Sequence, residues 1–222
     1  MDFAEDTRPP AVLGECASRR LVGTSARLVP VLPMHYRRLY EITLEPDVAR
    51  SWEPSYQGGS FEDWMRRLWN GVFCQYGVRR RDLEGDVAVN ASIDGLARCY
   101  GANLRHGTGR VAVFTSQRTH LAGLGMEAVA LLIDFLFHAY PFRKLYAEAL
   151  EYNYAKFADA AGTIFDIEAV LRGHEIHDGK AWDSYLLAVS REKWMETGAR
   201  SVELARARGR RGEVRLRRHQ RR

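Results

Sequence analysis

A chain of 222 residues is long enough for one well-buried domain with tails, and 46% hydrophobic with 27% charged residues is the balance of a soluble globular protein. The longest apolar run, around Ala128–Phe137, is broken by Asp134 and falls short of the roughly 20 residues that span a bilayer. The start, Met1 to Asp6, is acidic where a secretory signal is basic, so the expectation is a cytoplasmic protein with no membrane partner.

The net charge of +5 is unevenly placed. Residues 200–222 hold ten arginines and two glutamates, a local +8 that leaves −3 on the preceding 199 residues. The three cysteines, Cys16, Cys74 and Cys99, form no CxxC pair. That spacing argues against a disulfide framework and a structural zinc site, and reads instead as buried small side chains or idle thiols. No metal is expected. His174 and His177 lack acidic or cysteine partners in a ligand-like spacing and read as part of a solvated hairpin.

In chain order, residues 1–18 show no periodicity around Arg8-Pro9-Pro10 and are expected to be a flexible arm. Arg20–Leu32 reads as a strand closed by Pro33. His35–Leu44 reads as a short helix stopped before Pro46. Ser60 is placed to cap a helix running through Trp69, with Phe61, Trp64 and Leu68 on one face. Val72–Val78 and Asp86–Ile93 are expected strands joined by a charged turn over Arg79–Gly85, and Gly95–Leu104 is a third. A turn at Arg105–Gly109 precedes the strand Arg110–Thr115. Gly125–Tyr140 is apolar on nearly every side, as a covered central helix would be, and Pro141 ends it. Lys144–Leu150 is a strand and Tyr154–Ala161 a short helix. Phe165–Leu171 and Trp182–Ser190 are strands, with His177-Asp178-Gly179-Lys180 as a hairpin turn. The order implies a mixed α/β (α+β) domain with no repeats.

The segment richest in chemistry is Val113-Phe114-Thr115 followed by His120-Leu121-Ala122-Gly123-Leu124-Gly125-Met126. Here a strand enters a glycine-containing loop, and a long helix leaves it. Backbone N–H groups at such a turn, with the helix dipole behind them, suit an anion. A tight strand-to-helix turn with no ligand has the same glycines, so the motif alone does not decide.

From Leu21 to about Trp194 the element order and several strings resemble the Gcn5-related N-acetyltransferase (GNAT) superfamily, especially its ribosomal-protein alanine acetyltransferase-like branch. Those strings are Thr24-Ser25-Ala26-Arg27-Leu28-Val29-Pro30-Val31, Gly123-Leu124-Gly125-Met126-Glu127-Ala128, Leu150-Glu151-Tyr152-Asn153, Val170-Leu171-Arg172-Gly173-His174, and the run from His177 to Leu187. The resemblance implies a GNAT-like domain over 19–197 between the N-terminal arm and an arginine-rich tail over 198–222. It implies a mostly antiparallel twisted sheet, splayed between its fourth and fifth strands and flanked by about four helices.

It further implies acetyl-CoA or another acyl-CoA as co-substrate, held by Val113, Phe114 and Thr115 along the pantetheine arm. His120 through Met126 would hold the pyrophosphate, with Asn153 and Lys156 beside the coenzyme. The acceptor would be an amine-bearing small molecule or a protein N-terminus, attacking the thioester directly, with Trp52, Tyr56, His106 and Arg110 around its pocket. Asn153, Tyr154 and Glu148 are the catalytic candidates; Glu53 and Glu151 are further bases, and Tyr152 or water a further acid. Trp64 and Trp69, at helical spacing, read as core.

Four positions depart from the family's usual pattern. His120-Leu121 stands where Arg or Gln, often with Gly, is usual, and Ala160 stands where a tyrosine protonates the thiolate. Arg110 takes the place of an acidic residue, and Gly162-Thr163-Ile164-Phe165 replaces Lys-x-Gly-Phe. These departures keep a second reading open: a GNAT-like module that has lost catalysis and binds a ligand, a partner or RNA. The tail would offer phosphate contacts to nucleic acid or an acidic partner, or simply solvate as a charged disordered segment. A monomer or a homodimer is expected.

Overall fold

The computed structural model describes residues 20–52, 59–81, 93–117, 123–154, 158, 162 and 164–198. Seven strands form one sheet in the order β1-β2-β3-β4-β5-β7-β6. They are β1 (Ala26–Pro30), β2 (Val72–Arg80), β3 (Gly95–Asn103), β4 (Thr108–Thr115), β5 (Lys144–Leu150), β6 (Asp166–His177) and β7 (Lys180–Ser190). Every pairing is antiparallel except β4 with β5.

On one face lie α1 (Tyr36–Thr43), α2 (Pro46–Ser51) and α3 (Phe61–Arg67). They bury Leu39, Ile42, Val48 and Trp64 against Leu96 and Phe114 of the sheet, with Trp69 packed at the margin. The Ser60 hydroxyl accepts the Asp63 N–H at 3.1 Å and so caps α3. On the other face lies α4 (Leu124–Ala139), apolar around its circumference. It is the crossover between the two parallel strands, and its Leu132, Ile133, Phe135 and Leu136 are inaccessible to solvent. Tyr140, before Pro141, is extended at φ −135° and ψ 159° and ends the helix. A last helix, α6, occupies 191–198.

The covered α4 carries two acids where its apolar pattern breaks. Glu127, 1% exposed, accepts the main-chain N–H groups of Thr24 at 2.5 Å and Ser25 at 3.0 Å. Asp134, two turns on, accepts from Arg20 at 2.8 Å and from the Trp194 indole at 3.0 Å. The two carboxylates thus fasten the entry to β1 and the final helix onto the same central element. Glu127→Ala leaves two part-buried amides without their acceptor, a loss of roughly 2–3 kcal/mol. Urea unfolding of this variant should show the midpoint falling with an unchanged m-value.

Several expectations shift. The strand expected over Arg20–Leu32 is confined to Ala26–Pro30, because the chain doubles back at Gly23–Ser25 into Glu127, with an isolated bridge from Val22 to Arg27. A side chain at Gly23 would stand 2.2 Å from the Glu127 carboxylate. Pro46 starts a helix, at its first position where the missing N–H costs nothing. Arg79 and Arg80 extend β2 rather than forming a turn. The strand expected over Asp86–Ile93 lies outside the described residues except at Ile93, and β2 pairs directly with β3. The helix expected over Tyr154–Ala161 begins earlier, as α5 (Glu151–Tyr154), and most of the remainder lies outside the described residues. β6 continues past Leu171 to His177 through a register shift before Glu175. The hairpin turn is as read: Asp178 and Gly179 both take positive φ, 51° and 71°, the geometry of a two-residue turn that follows strand twist. The arm expected over 1–18 and the arginine-rich tail expected over 198–222 fall outside the described residues, except for Gly198 at the end of α6.

Candidate active site

β4 and β5 are neighbours for only three residue pairs, Thr108 with Lys144, Gly109 with Leu145 and Arg110 with Tyr146. Beyond Arg110 and Tyr146 they part. β4 stays paired with β3 as far as Thr115, and β5 with β7 as far as Leu150. From there each strand presents to its former neighbour an edge that the ladder no longer satisfies.

The parting is held by contacts from α2 and α5. Glu45, buried at the head of α2, accepts the Ser116 hydroxyl at 2.7 Å and the Gln117 N–H at 2.8 Å. The Gln117 side-chain amide donates to Asp47, and the Trp52 ring meets Phe114 edge-on at 4.5 Å. These contacts draw the end of β4 toward α2. On the other side β5 runs straight into α5, whose Tyr152 hydroxyl donates to the Arg50 carbonyl at 2.8 Å.

Between the strands lies a cavity of about 720 Å³. Val113, Phe114 and Thr115 form one wall and Ala147, Glu148 and Ala149 the other. Gly123, Gly125 and Met126 at the start of α4 also line it, as do Asp47, Ser51 and Trp52 of the α2 segment and Asn153 of α5. Gly123 sits at the N-cap of α4 in the left-handed region, φ 95°, where a glycine is needed to turn the chain into the helix. The first N–H groups of a 16-residue helix therefore open onto the cavity.

Most of the expected coenzyme residues converge here, namely Val113, Phe114, Thr115, Gly123, Gly125, Met126 and Asn153, with Glu148 and Trp52 also lining the cavity. Leu124 does not, being a core side chain 1% exposed. His120, Leu121, Ala122, Lys156 and Tyr56, with Glu53 and Ala160, lie outside the described residues. Three candidates stand elsewhere. Tyr154 stacks on Tyr185, ring centroids 4.6 Å apart and 18° from parallel, and does not line the cavity. Tyr152 has its hydroxyl engaged on Arg50. His106 belongs to the turn before β4, at the opposite end of the strand from the opening, where its carbonyl accepts Arg143 Nε at 2.7 Å. Arg110 stands where the strands part, and its guanidinium pairs with Glu148 across the divide.

Asp47, Ser51, Ser116 and Gln117 line the cavity without having been singled out from sequence. Pro46-Asp47, a proline and an acid at the first turn of a helix, signals the element that carries Asp47 and Ser51; Ser116 and Gln117 have no such local mark. Among the described lining residues Asp47 and Glu148 are the charged side chains, Glu148 paired with Arg110 and Asp47 accepting from the Gln117 amide.

No family model and no curated protein matches the sequence. Solved structures do match in three dimensions. A probable GNAT-family acetyltransferase from Chromobacterium violaceum superposes with a TM-score of 0.60 at 20% identity, covering 79% of this chain and 92% of that one. A GCN5-related N-acetyltransferase from Brucella melitensis gives 0.61 at 15% identity, over 84% and 83%. Spermidine N-acetyltransferase from Vibrio cholerae, solved with CoA and spermine, gives 0.64 at 14% identity, over 78% and 99%. The chain has the GNAT fold. Within that fold the parallel β4–β5 pair, its splay and the helix that starts beside it are the expected features, present here with six labelled helices rather than about four.

Proposed function

We propose that this GNAT-fold chain is an N-acyltransferase that moves an acyl group, acetyl in the simplest case, from acyl-CoA to a primary amine of a small molecule or a protein N-terminus. The observation that carries the reading is the divergence of β4 from β5 after Arg110 and Tyr146, which leaves main-chain groups of Val111–Thr115 facing a cavity that opens on the α4 N-terminus. The fit to the coenzyme is chemical on both counts. Exposed strand groups suit the two amides of a pantetheine arm, in the manner of an added strand. The helix N-terminus with Gly123 and Gly125 suits a diphosphate, since no side chain blocks approach to the backbone.

When bound, acyl-CoA supplies an activated thioester, and the rest of the work falls to the chain. A β4 N–H facing the gap donates to the carbonyl oxygen as negative charge develops there. Asp47 and Glu148 hold the amine end of the acceptor and favour a cationic amine over an anionic one. Glu148 takes the amine proton, directly or through water. With Tyr154 stacked on Tyr185 and Tyr152 bonded to Arg50, water is the donor to the departing thiolate. A thiolate leaving group needs little help.

Titration calorimetry of the full chain with CoA and acetyl-CoA tests the first half; micromolar binding is expected, and no heat with either ligand would sink the reading. Thiol release in the presence of a panel of amines tests the second. Glu148→Gln should lower kcat by about 10²-fold while leaving CoA affinity within twofold. An unchanged kcat would remove Glu148 from the chemistry.

The pairing of Arg110 with Glu148 also favours a second reading, a GNAT-like module that binds its ligand without turning it over. CoA binding with no thiol release for any amine would select it.

A further inference from the structure

Away from the cavity, Cys74 of β2 and Cys99 of β3 are direct partners in the antiparallel ladder. Residues so opposed lie about 4.5–5.5 Å apart at Cα, inside the roughly 4.4–6.8 Å that a disulfide spans. Both side chains leave the sheet on the α4 face: Cys99 is fully buried in the core there, and Cys74 packs against that core while keeping partial exposure. The Cys99 backbone hydrogen-bonds the Cys74 thiol. The ladder slips register between Val72 and Cys74, so the partly exposed cysteine sits beside the irregular end of the pairing.

We propose that Cys74 and Cys99 form a modification site for a small hydroperoxide, which joins them in a cross-strand disulfide between β2 and β3. Cys74 reacts first because it is the more exposed. Its sulfur attacks one peroxide oxygen, the O–O bond breaks, and the other oxygen leaves with the thiol proton, as water from hydrogen peroxide or as the alcohol from an alkyl hydroperoxide, giving a sulfenic acid. The Cys99 sulfur then attacks the Cys74 sulfur and expels the hydroxyl, which departs as water with the second proton. Two thiols lose two electrons in total, and one hydrogen peroxide becomes two waters, or one alkyl hydroperoxide an alcohol and a water. Nothing but the peroxide is consumed.

Burial sets the pace. It pushes the Cys74 thiol up to about 12, and raises Cys99 through burial first and the neighbouring Cys74 second. The thiolate, which is the reacting form, is therefore scarce at neutral pH. The rate should rise about tenfold per pH unit below that value, where a surface thiol near 8.5 would level off by pH 9–10.

The experiment uses the full chain with Cys16→Ser, millimolar hydrogen peroxide at pH 8, 9 and 10, a catalase quench and a tryptic digest without reductant. The expected result is a loss of 2 Da and a linked pair of peptides spanning 68–79 and 99–105, accumulating with that pH slope. Adding Cys99→Ser should stop the reaction at a Cys74 sulfenic acid that dimedone captures, and a thermal melt checks that this variant is folded. The proposal is overturned if both thiols still alkylate after complete exposure at pH 10. It is overturned equally if Cys74 proceeds to sulfinic acid while Cys99 stays free, or if the link joins two chains.

Discussion

Gly125→Trp is expected to remove CoA binding while leaving the protein folded. A Cβ built at Gly125 would stand 3.6 Å from the Thr115 hydroxyl, in ordinary contact, so the substitution adds a side chain without backbone strain. The indole then projects beside Thr115 into the cavity proposed to hold the coenzyme. Affinity should fall by at least two orders of magnitude, about 2.7 kcal/mol. Gly125→Ala, whose single methyl the space accepts, should stay within about threefold on the same scale. Calorimetry of the three proteins, with thermal melts beside it, reads both effects. Wild-type affinity in the tryptophan variant would place the coenzyme elsewhere and remove the basis for the acyltransferase reading.

The second large effect lies in the scaffold. Arg191, just past β7, donates from Nε to the Phe142 carbonyl at 2.6 Å, from Nη2 to the Tyr140 carbonyl at 2.5 Å, and from Nη1 to the Phe137 carbonyl. One guanidinium thus satisfies acceptors at the C-terminal end of α4 and in the segment leading to β5, where the helix dipole also favours a cation. Arg191→Ala leaves three part-buried carbonyls without donors, and the loss should be about 3–4 kcal/mol. Lysine, with a compact ammonium in place of a planar fork, should recover less than half of it. Chemical denaturation of the two variants makes the comparison, and near-equal stability of alanine and lysine would reduce the contribution of Arg191 to charge or packing alone.

What could be read before the fold was known follows the range of each interaction. The ends of α4, the bounds of β5 and the Asp178-Gly179 turn depend on neighbours within a few residues, so periodicity, Pro141 and turn chemistry locate them. Gly123 and Gly125 mark the strand-to-helix turn that lines the cavity for the same reason. By contrast, the clamp of Glu45 on Ser116 joins residues 71 apart in sequence, and nothing local marks either partner. Pro46 was ambiguous in kind, since proline both stops one helix and starts the next, and that ambiguity hid Asp47 and Ser51. His106 shows another limit: a strand pattern does not say which end of the strand faces the opening. Tyr154 was named only as a neighbour able to stand in for the tyrosine that Ala160 replaces, and its ring is stacked on Tyr185.

The gap between β4 and β5 is tied at both ends. At one, three strand pairs close it; at the other, the Tyr152 hydroxyl bonds the Arg50 carbonyl, and Arg50 also approaches Asp178 at the tip of the β6–β7 hairpin, 4.0 Å away. The four-strand and three-strand portions of the sheet therefore resemble two boards joined by a hinge and a latch, with the slot already cut to width. Such a slot is preorganised: little of a ligand's binding energy is diverted to prying the halves apart. Conversely, a ligand wider than the slot has to loosen the Tyr152–Arg50 contact, so Tyr152→Phe is expected to widen the range of ligand sizes the slot admits.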